Sequence, residues 1–126
     1  MSYWNSKFRD VNAEQDILGK TITEINKIDD EIIFTCSDES KYKMYHEHDC
    51  CESVSIDKVR GCLDNLIGKV VQSFRSWESP IPDASESGTA SYFEIVTENN
   101  SARSIIKWEG YSNGYYSEGV SFERIA

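Results

Sequence analysis

Residues 41–56, Lys-Tyr-Lys-Met-Tyr-His-Glu-His-Asp-Cys-Cys-Glu-Ser-Val-Ser-Ile, gather both histidines of the chain, two of its four cysteines and three carboxylates. Imidazole nitrogens, thiolates and carboxylates are the ligands that zinc uses. His46 and His48 lie two apart and share a face if a strand runs through them. The spacing nevertheless suits a structural zinc site poorly. No Cys-x-x-Cys pair is present, and adjacent Cys50 and Cys51 do not easily reach one tetrahedral ion together. Zinc on His46, His48, Cys50 and Cys51 is thus the only cofactor the pattern offers, and the expectation is none. A second chemistry is a thiolate nucleophile, Cys50 or Cys51 beside His46 or His48. Glu47, Asp49 and Glu52 oppose it, because nearby negative charge raises thiol pKa values. The alternative to both is architectural. His46 then satisfies a core hydrogen bond, and one cysteine is buried where the strand gives way to a helix.

A second stretch, Trp108-Glu109-Gly110-Tyr111-Ser112-Asn113-Gly114-Tyr115-Tyr116-Ser117-Glu118, sets a tryptophan and three tyrosines around glycines. Such rings supply large, rigid contact area and are favoured at binding hot spots. Trp108, Tyr111, Asn113, Tyr115, Tyr116 and Glu118 are its candidate contacts. The equal alternative is that the rings pair across a hairpin, for which Asn113-Gly114 is the strongest short signal. No glycine-rich phosphate loop, Gly-x-Ser-x-Gly elbow, His-Glu-x-x-His pair or EF-hand loop occurs. No catalytic residue is therefore assigned, and the reading leans away from an enzyme.

The elements that must position these stretches read as β-meanders. Asn12 and Gln15 mark the cap of a short helical turn. Ile22, Ile25 and Ile28 alternate loosely, as on a bulged strand. Asp29-Asp30 turns the chain, and Ile32, Phe34 and Cys36 share one face of the next strand. Tyr42, Met44 and His46 then alternate with Lys41, Lys43 and Tyr45. Val59, Cys62, Leu63, Leu66 and Ile67 fall at helical spacing between a cap at Ser55 or Asp57 and a stop at Gly68. Further strands span residues 69–77, 92–97 and 104–109, with a last one through Val120 and Phe122. Ile17-Leu18-Gly19-Lys20 recurs as Leu66-Ile67-Gly68-Lys69, so the halves read as a duplicated meander, with chance likeness of short β patterns as the competing account. The expected fold is α+β, antiparallel sheets from two meanders with one short helix packed on the sheet. Residues 1–16 form an N-terminal arm and residues 17–126 a single α+β domain. Tyr3, Trp4 and Phe8 pack that arm on the domain or on a neighbouring copy, which leaves monomer and homodimer both open.

The net charge of −9, from 22 acids against 13 bases, argues against direct nucleic acid binding, which needs clustered Lys and Arg. It suits solubility alone, the favoured reading, or a protein that docks on a basic surface. No run reaches the roughly 18 apolar residues of a membrane span, and no secretion signal is visible. A cytoplasmic protein with free thiols is the expectation.

Three pieces together carry a resemblance: Ile67-Gly68 after a short helix, Tyr42-x-Met44-Tyr45-His46-x-x-Asp49-Cys50-Cys51-Glu52, and Ser112-Asn113-Gly114-Tyr115-Tyr116-Ser117-Glu118. From about Leu18 to Phe122 the chain resembles an uncharacterised family of small bacteriophage and prophage proteins. The resemblance implies a genomic setting and no mechanism. It draws attention to His46, Asp49, Cys50, Cys51, Glu52, Asn113, Tyr115, Tyr116 and Glu118, while His48 falls at a variable place in the pattern. The leading expectation is a phage-type accessory protein that binds a host protein or complex in the bacterial cell, a defence inhibitor of the anti-CRISPR type. The alternative is a nucleotide- or metal-binding domain using the His/Cys segment, and a cysteine-dependent enzyme comes third.

Overall fold

The computed structural model describes residue 8 and residues 10–126. Tyr3 and Trp4 lie outside the described residues, whereas the Phe8 ring lies 4.7 Å from the Arg124 guanidinium. Helix α1 (Ala13–Asp16) is capped by the Asn12 side chain, which accepts from the Gln15 N–H. The described residues then form β1 (Ile22–Ile28), β2 (Glu31–Cys36), β3 (Lys41–Tyr45), β4 (Ser53–Arg60), β5 (Val71–Pro80), β6 (Ser87–Thr97), β7 (Arg103–Ser112) and β8 (Ser121–Arg124). Two four-stranded antiparallel sheets result, ordered β1-β2-β3-β8 and β4-β7-β6-β5. Their inner faces share one core, with Ile22, Ile32, Phe34 and Met44 from the first and Val71, Phe93, Ile95, Ile106 and Trp108 from the second. Ala13 and Ile17 are buried in the same core, so the end of the arm drawn at residues 1–16 belongs to it.

The α+β expectation is overturned: the fold is all-β. Where a helix was expected before Gly68, the chain forms β4 and a short 3-10 turn, Leu63–Leu66. The apolar spacing misleads for a definable reason. A bulge between Ile56 and Lys58 inserts an extra residue in β4. Ile56 and Val59 therefore both face the core at a spacing of three, which imitates a helical stripe. With Val54 they are β-branched and lose little by being extended, so burial between the sheets decides the outcome. Cys62, placed on that stripe by the sequence, is exposed.

The two halves repeat one unit and exchange its last strand. Each half runs a meander, β1-β2-β3 or β5-β6-β7, then crosses to lay its fourth strand on the other half's sheet, β4 beside β7 and β8 beside β3. Equivalent residues meet reciprocally at the centre. The Gly19 N–H donates to Val71 O at 2.9 Å and the Gly68 N–H to Ile22 O at 2.7 Å. Ile17 and Leu66 are both fully buried, and matching bulges follow Ile22 and Val71. The Ile-Leu-Gly-Lys and Leu-Ile-Gly-Lys likeness thus corresponds to a structural repeat.

The Asn-Gly hairpin is also corrected. β7 and β8 lie in different sheets, so the chain crosses between them instead of folding back. Gly114 does take a left-handed φ of 91°, and Asn113 Oδ1 accepts from the Tyr115 N–H at 2.9 Å. That turn is local only. Phe122 on β8 stacks on Phe74 at 4.3 Å and on Tyr42 at 5.6 Å, and meets Phe34 edge-on at 5.9 Å. Burying this ring among three others outweighs the modest preference of a two-residue turn.

Candidate functional site

The two crossings lie side by side because the strands flanking them pair. Tyr45 stands opposite Ser121 and Ser53 opposite Tyr111, which brings residues 46–52 and 113–120 out at one end of the molecule. His46 ties them together. Its Nδ1 is 2.6 Å from Gly119 O, and its Nε2 is 2.7 Å from Glu52 Oε2. Both partners are acceptors, so both contacts are hydrogen bonds only when both ring nitrogens carry hydrogen.

The Glu52 side chain is completely buried. Its carboxylate accepts from the Asp49 N–H at 2.7 Å and the Cys50 N–H at 3.0 Å, which folds the loop back on itself. Burial alone would push the Glu52 carboxyl up. The Asp49 N–H, the His46 ring and the Cys50 N–H outweigh it and hold the group well below the usual carboxylate range.

Glu118 does the same for the second loop. Thr89 Oγ1 donates to it at 2.7 Å, and the Ser112 hydroxyl donates to its other oxygen. Ser112 Oγ also accepts from the Gly114 N–H at 2.9 Å. Burial again opposes ionisation, and the Ser112, Thr89 and Ser87 hydroxyls overcome it, so the carboxyl titrates below its ordinary value. Gly110 allows the approach: a Cβ there would lie 2.9 Å from both Glu118 Cβ and Glu118 O. Gly110→Ala is expected to lift the loop from β7 and cost about 1–3 kcal/mol. Urea denaturation measures the cost, and faster amide exchange confined to residues 111–120 would locate it.

Cys50 and Cys51 are bonded to each other in a disulfide between sequence neighbours, which corrects the expectation of free thiols there. Cys36 and Cys62 are free. Joined sulfurs offer neither a thiolate to a metal nor a nucleophile. His46, His48 and Glu52 place ligand atoms within 4.8 Å of one another, but their donors are mostly committed. Glu52 serves His46 and two loop N–H groups. His48 Nδ1 stands 3.9 Å from Glu52 on a side chain 61% exposed. The cluster works as a latch between two loops.

Residues 15–122 match the model of a family described as a domain of unknown function, DUF7448. The chain belongs to the DUF7448 family. Among curated proteins and solved structures nothing matches it. No helix among the described residues of this DUF7448 chain is long and apolar enough to cross a membrane.

The structure brings most of the sequence-derived residues to this end, though not all. Asp49, Cys50, Cys51, Asn113 and Tyr115 are exposed on the paired loops, Tyr115 to 83%. Tyr116 meets the Tyr115 ring edge-on at 5.0 Å, and the Tyr111 hydroxyl donates to Glu109 at 3.0 Å. His46, Glu52 and Glu118 lie beneath as the latch. Trp108 is elsewhere. It is fully buried with its indole N–H 3.4 Å from Met44 Sδ, because its register opposite Ile56 and Ser91 points it inward. Thr89 and Gly119 were missed by sequence reasoning. Gly119 contributes a backbone carbonyl, which has no residue signature, and only Gly110 carried a trace of the close approach.

Proposed function

We propose that this DUF7448 protein is a binding module without catalysis, presenting the end where its two crossing loops lie together. One observation carries the reading: Glu52 and Glu118, the buried carboxylates there, are spent on loop N–H and hydroxyl groups while Tyr115 stands almost fully exposed above them. A fixed loop pair that holds an aromatic side chain outward suits a contact surface, since rigid rings lose little entropy on binding. The resemblance to small phage and prophage proteins supports a bacterial host component as the partner, met in the host cytoplasm. The net charge of −9 supports a basic partner surface, such as one a nuclease complex uses for nucleic acid. A defence inhibitor of the anti-CRISPR type is the role that joins these features.

Tagged protein in bacterial lysate at low salt, quantified by mass spectrometry against a Tyr115→Ala/Tyr116→Ala variant, tests the reading. One protein complex is expected to be enriched by the natural sequence and reduced about tenfold or more by the variant. Its recovery should fall as salt is raised. Equal recovery by both forms, or no enriched protein, would sink it.

A further inference from the structure

The outer face of the second sheet carries a different chemistry from the rest of this acidic chain. Register places two rows across all four strands. One reads Trp77, Tyr92, Lys107, Lys58 and the next Arg75, Glu94, Ile105, Arg60. Residues directly opposite one another in antiparallel strands share a face, so the rows are contiguous. A hollow of about 310 Å³ lies over them, lined by Lys58, Arg60, Trp77, Tyr92, Ile105 and Lys107.

Within the first row the rings stand at one end and the cations at the other. Trp77 and Tyr92 are parallel with centroids 5.3 Å apart, and Trp77 is 42% exposed. Arg75 lies 5.9 Å from the Trp77 ring and is held by Glu94, which also holds Arg103. Lys107 is shared between Asp57 and Glu109. Lys58 and Arg60 are exposed and have no ion-pair partner among the described residues. In a chain with 22 acids and 13 bases, two unpaired cations beside an exposed indole are the local exception.

We propose that this face is a binding site for a mononucleotide, with its base against Trp77 and Tyr92 and its phosphate at Lys58 and Arg60. Neighbouring strands lie about 4.8 Å apart, so Tyr92 and Lys58 are roughly 10 Å apart across the sheet, the reach from a base to its 5′-phosphate. Aromatic rings accept any base by stacking, and the cations supply the charge complement. A free nucleotide fits better than a strand, because the next cation on this face, Arg103 in the adjoining row, is held by Glu94, and the net charge of the chain repels a longer polyanion.

Calorimetric titration of the whole protein with AMP and dTMP, alongside adenosine, ribose 5-phosphate and a short oligothymidylate, tests the site. Both mononucleotides should bind, and adenosine and ribose 5-phosphate each at least about tenfold more weakly. Lys58→Ala/Arg60→Ala and, separately, Trp77→Ala should each weaken AMP about tenfold, with circular dichroism confirming the fold. Lys27→Ala, the loss of one positive charge on β1 of the other sheet, should change nothing. Absence of AMP binding at millimolar concentration, or binding indifferent to the Lys58/Arg60 pair, overturns the proposal. So does an affinity for oligothymidylate tenfold or more above that for dTMP, which would assign the face to single-stranded nucleic acid. Association of two copies through this face, abolished by the same pair of substitutions and unaffected by AMP, would overturn it as well.

Discussion

Glu52→Ala is expected to lower Tm on the order of 10 °C and to free the Cys50–Cys51 turn before the sheets separate. Among the described residues the carboxylate alone accepts from the Asp49 and Cys50 N–H groups, and it is the partner of His46 Nε2. Its removal leaves two N–H donors and the His46 Nε2 facing a hole, and unpaired buried polar groups cost more than the hydrogen bonds themselves contribute. Glu52→Gln keeps one amide oxygen and should fall between alanine and the natural residue. The effect has a pH signature. The folded protein holds the Glu52 carboxyl below its ordinary value of 4.5. Its contribution is therefore fully present above about pH 4.5 and is lost as pH falls toward the depressed folded value. Thermal melts from neutral pH downward should show an acid limb in the natural protein that is shallower in Glu52→Gln. The limb should not vanish, since Asp16, Glu94 and Glu118 are also held low. Superimposable limbs would show that Glu52 is not a source of it.

The latch explains what could be read from the sequence and what could not. His46, Asp49, Cys50, Cys51 and Glu52 were legible as one cluster because they are neighbours in the chain. That this cluster meets the tyrosine loop depends on β8 pairing with β3 and β4 with β7, a strand exchange that no local pattern encodes. Periodicity found seven of the eight strands, or the stretches that contain them, and failed at β4. A bulge moved the apolar residues there from a period of two to a spacing of three. The Asn113-Gly114 signal was real as a turn, since Gly114 is left-handed, yet wrong as a hairpin. The burial of Phe122 against the opposite sheet is a long-range gain, invisible to a window of four residues. The two rows on the outer face escaped for the same reason. Lys58, Tyr92 and Trp77 are far apart in sequence and become neighbours only through the sheet register.

Trp108 separates core from contact surface most sharply. Its type and its place beside the tyrosines read as a binding residue, but its indole is sealed between the sheets against Met44. Trp108→Ala is therefore expected to cost about 3–5 kcal/mol, the usual range for deleting a buried large aromatic ring. One detail pushes the value toward the lower end. The cavity would border Ser91, which stands opposite Trp108 and whose hydroxyl has no hydrogen-bond partner among the described residues. A water entering there gains a polar contact that an all-hydrocarbon cavity would deny it. Trp108→Phe keeps a ring in place and loses only an N–H to a weak sulfur acceptor, so it should cost less than about 1.5 kcal/mol. Urea unfolding of the two variants measures the difference, and partner capture by Trp108→Phe should match the natural protein. If Trp108→Ala unfolds at the same urea concentration as the natural protein, the ring is not what joins the sheets. If Trp108→Phe loses the partner while keeping its stability, the contact surface reaches the indole, and the loop-end reading fails with it.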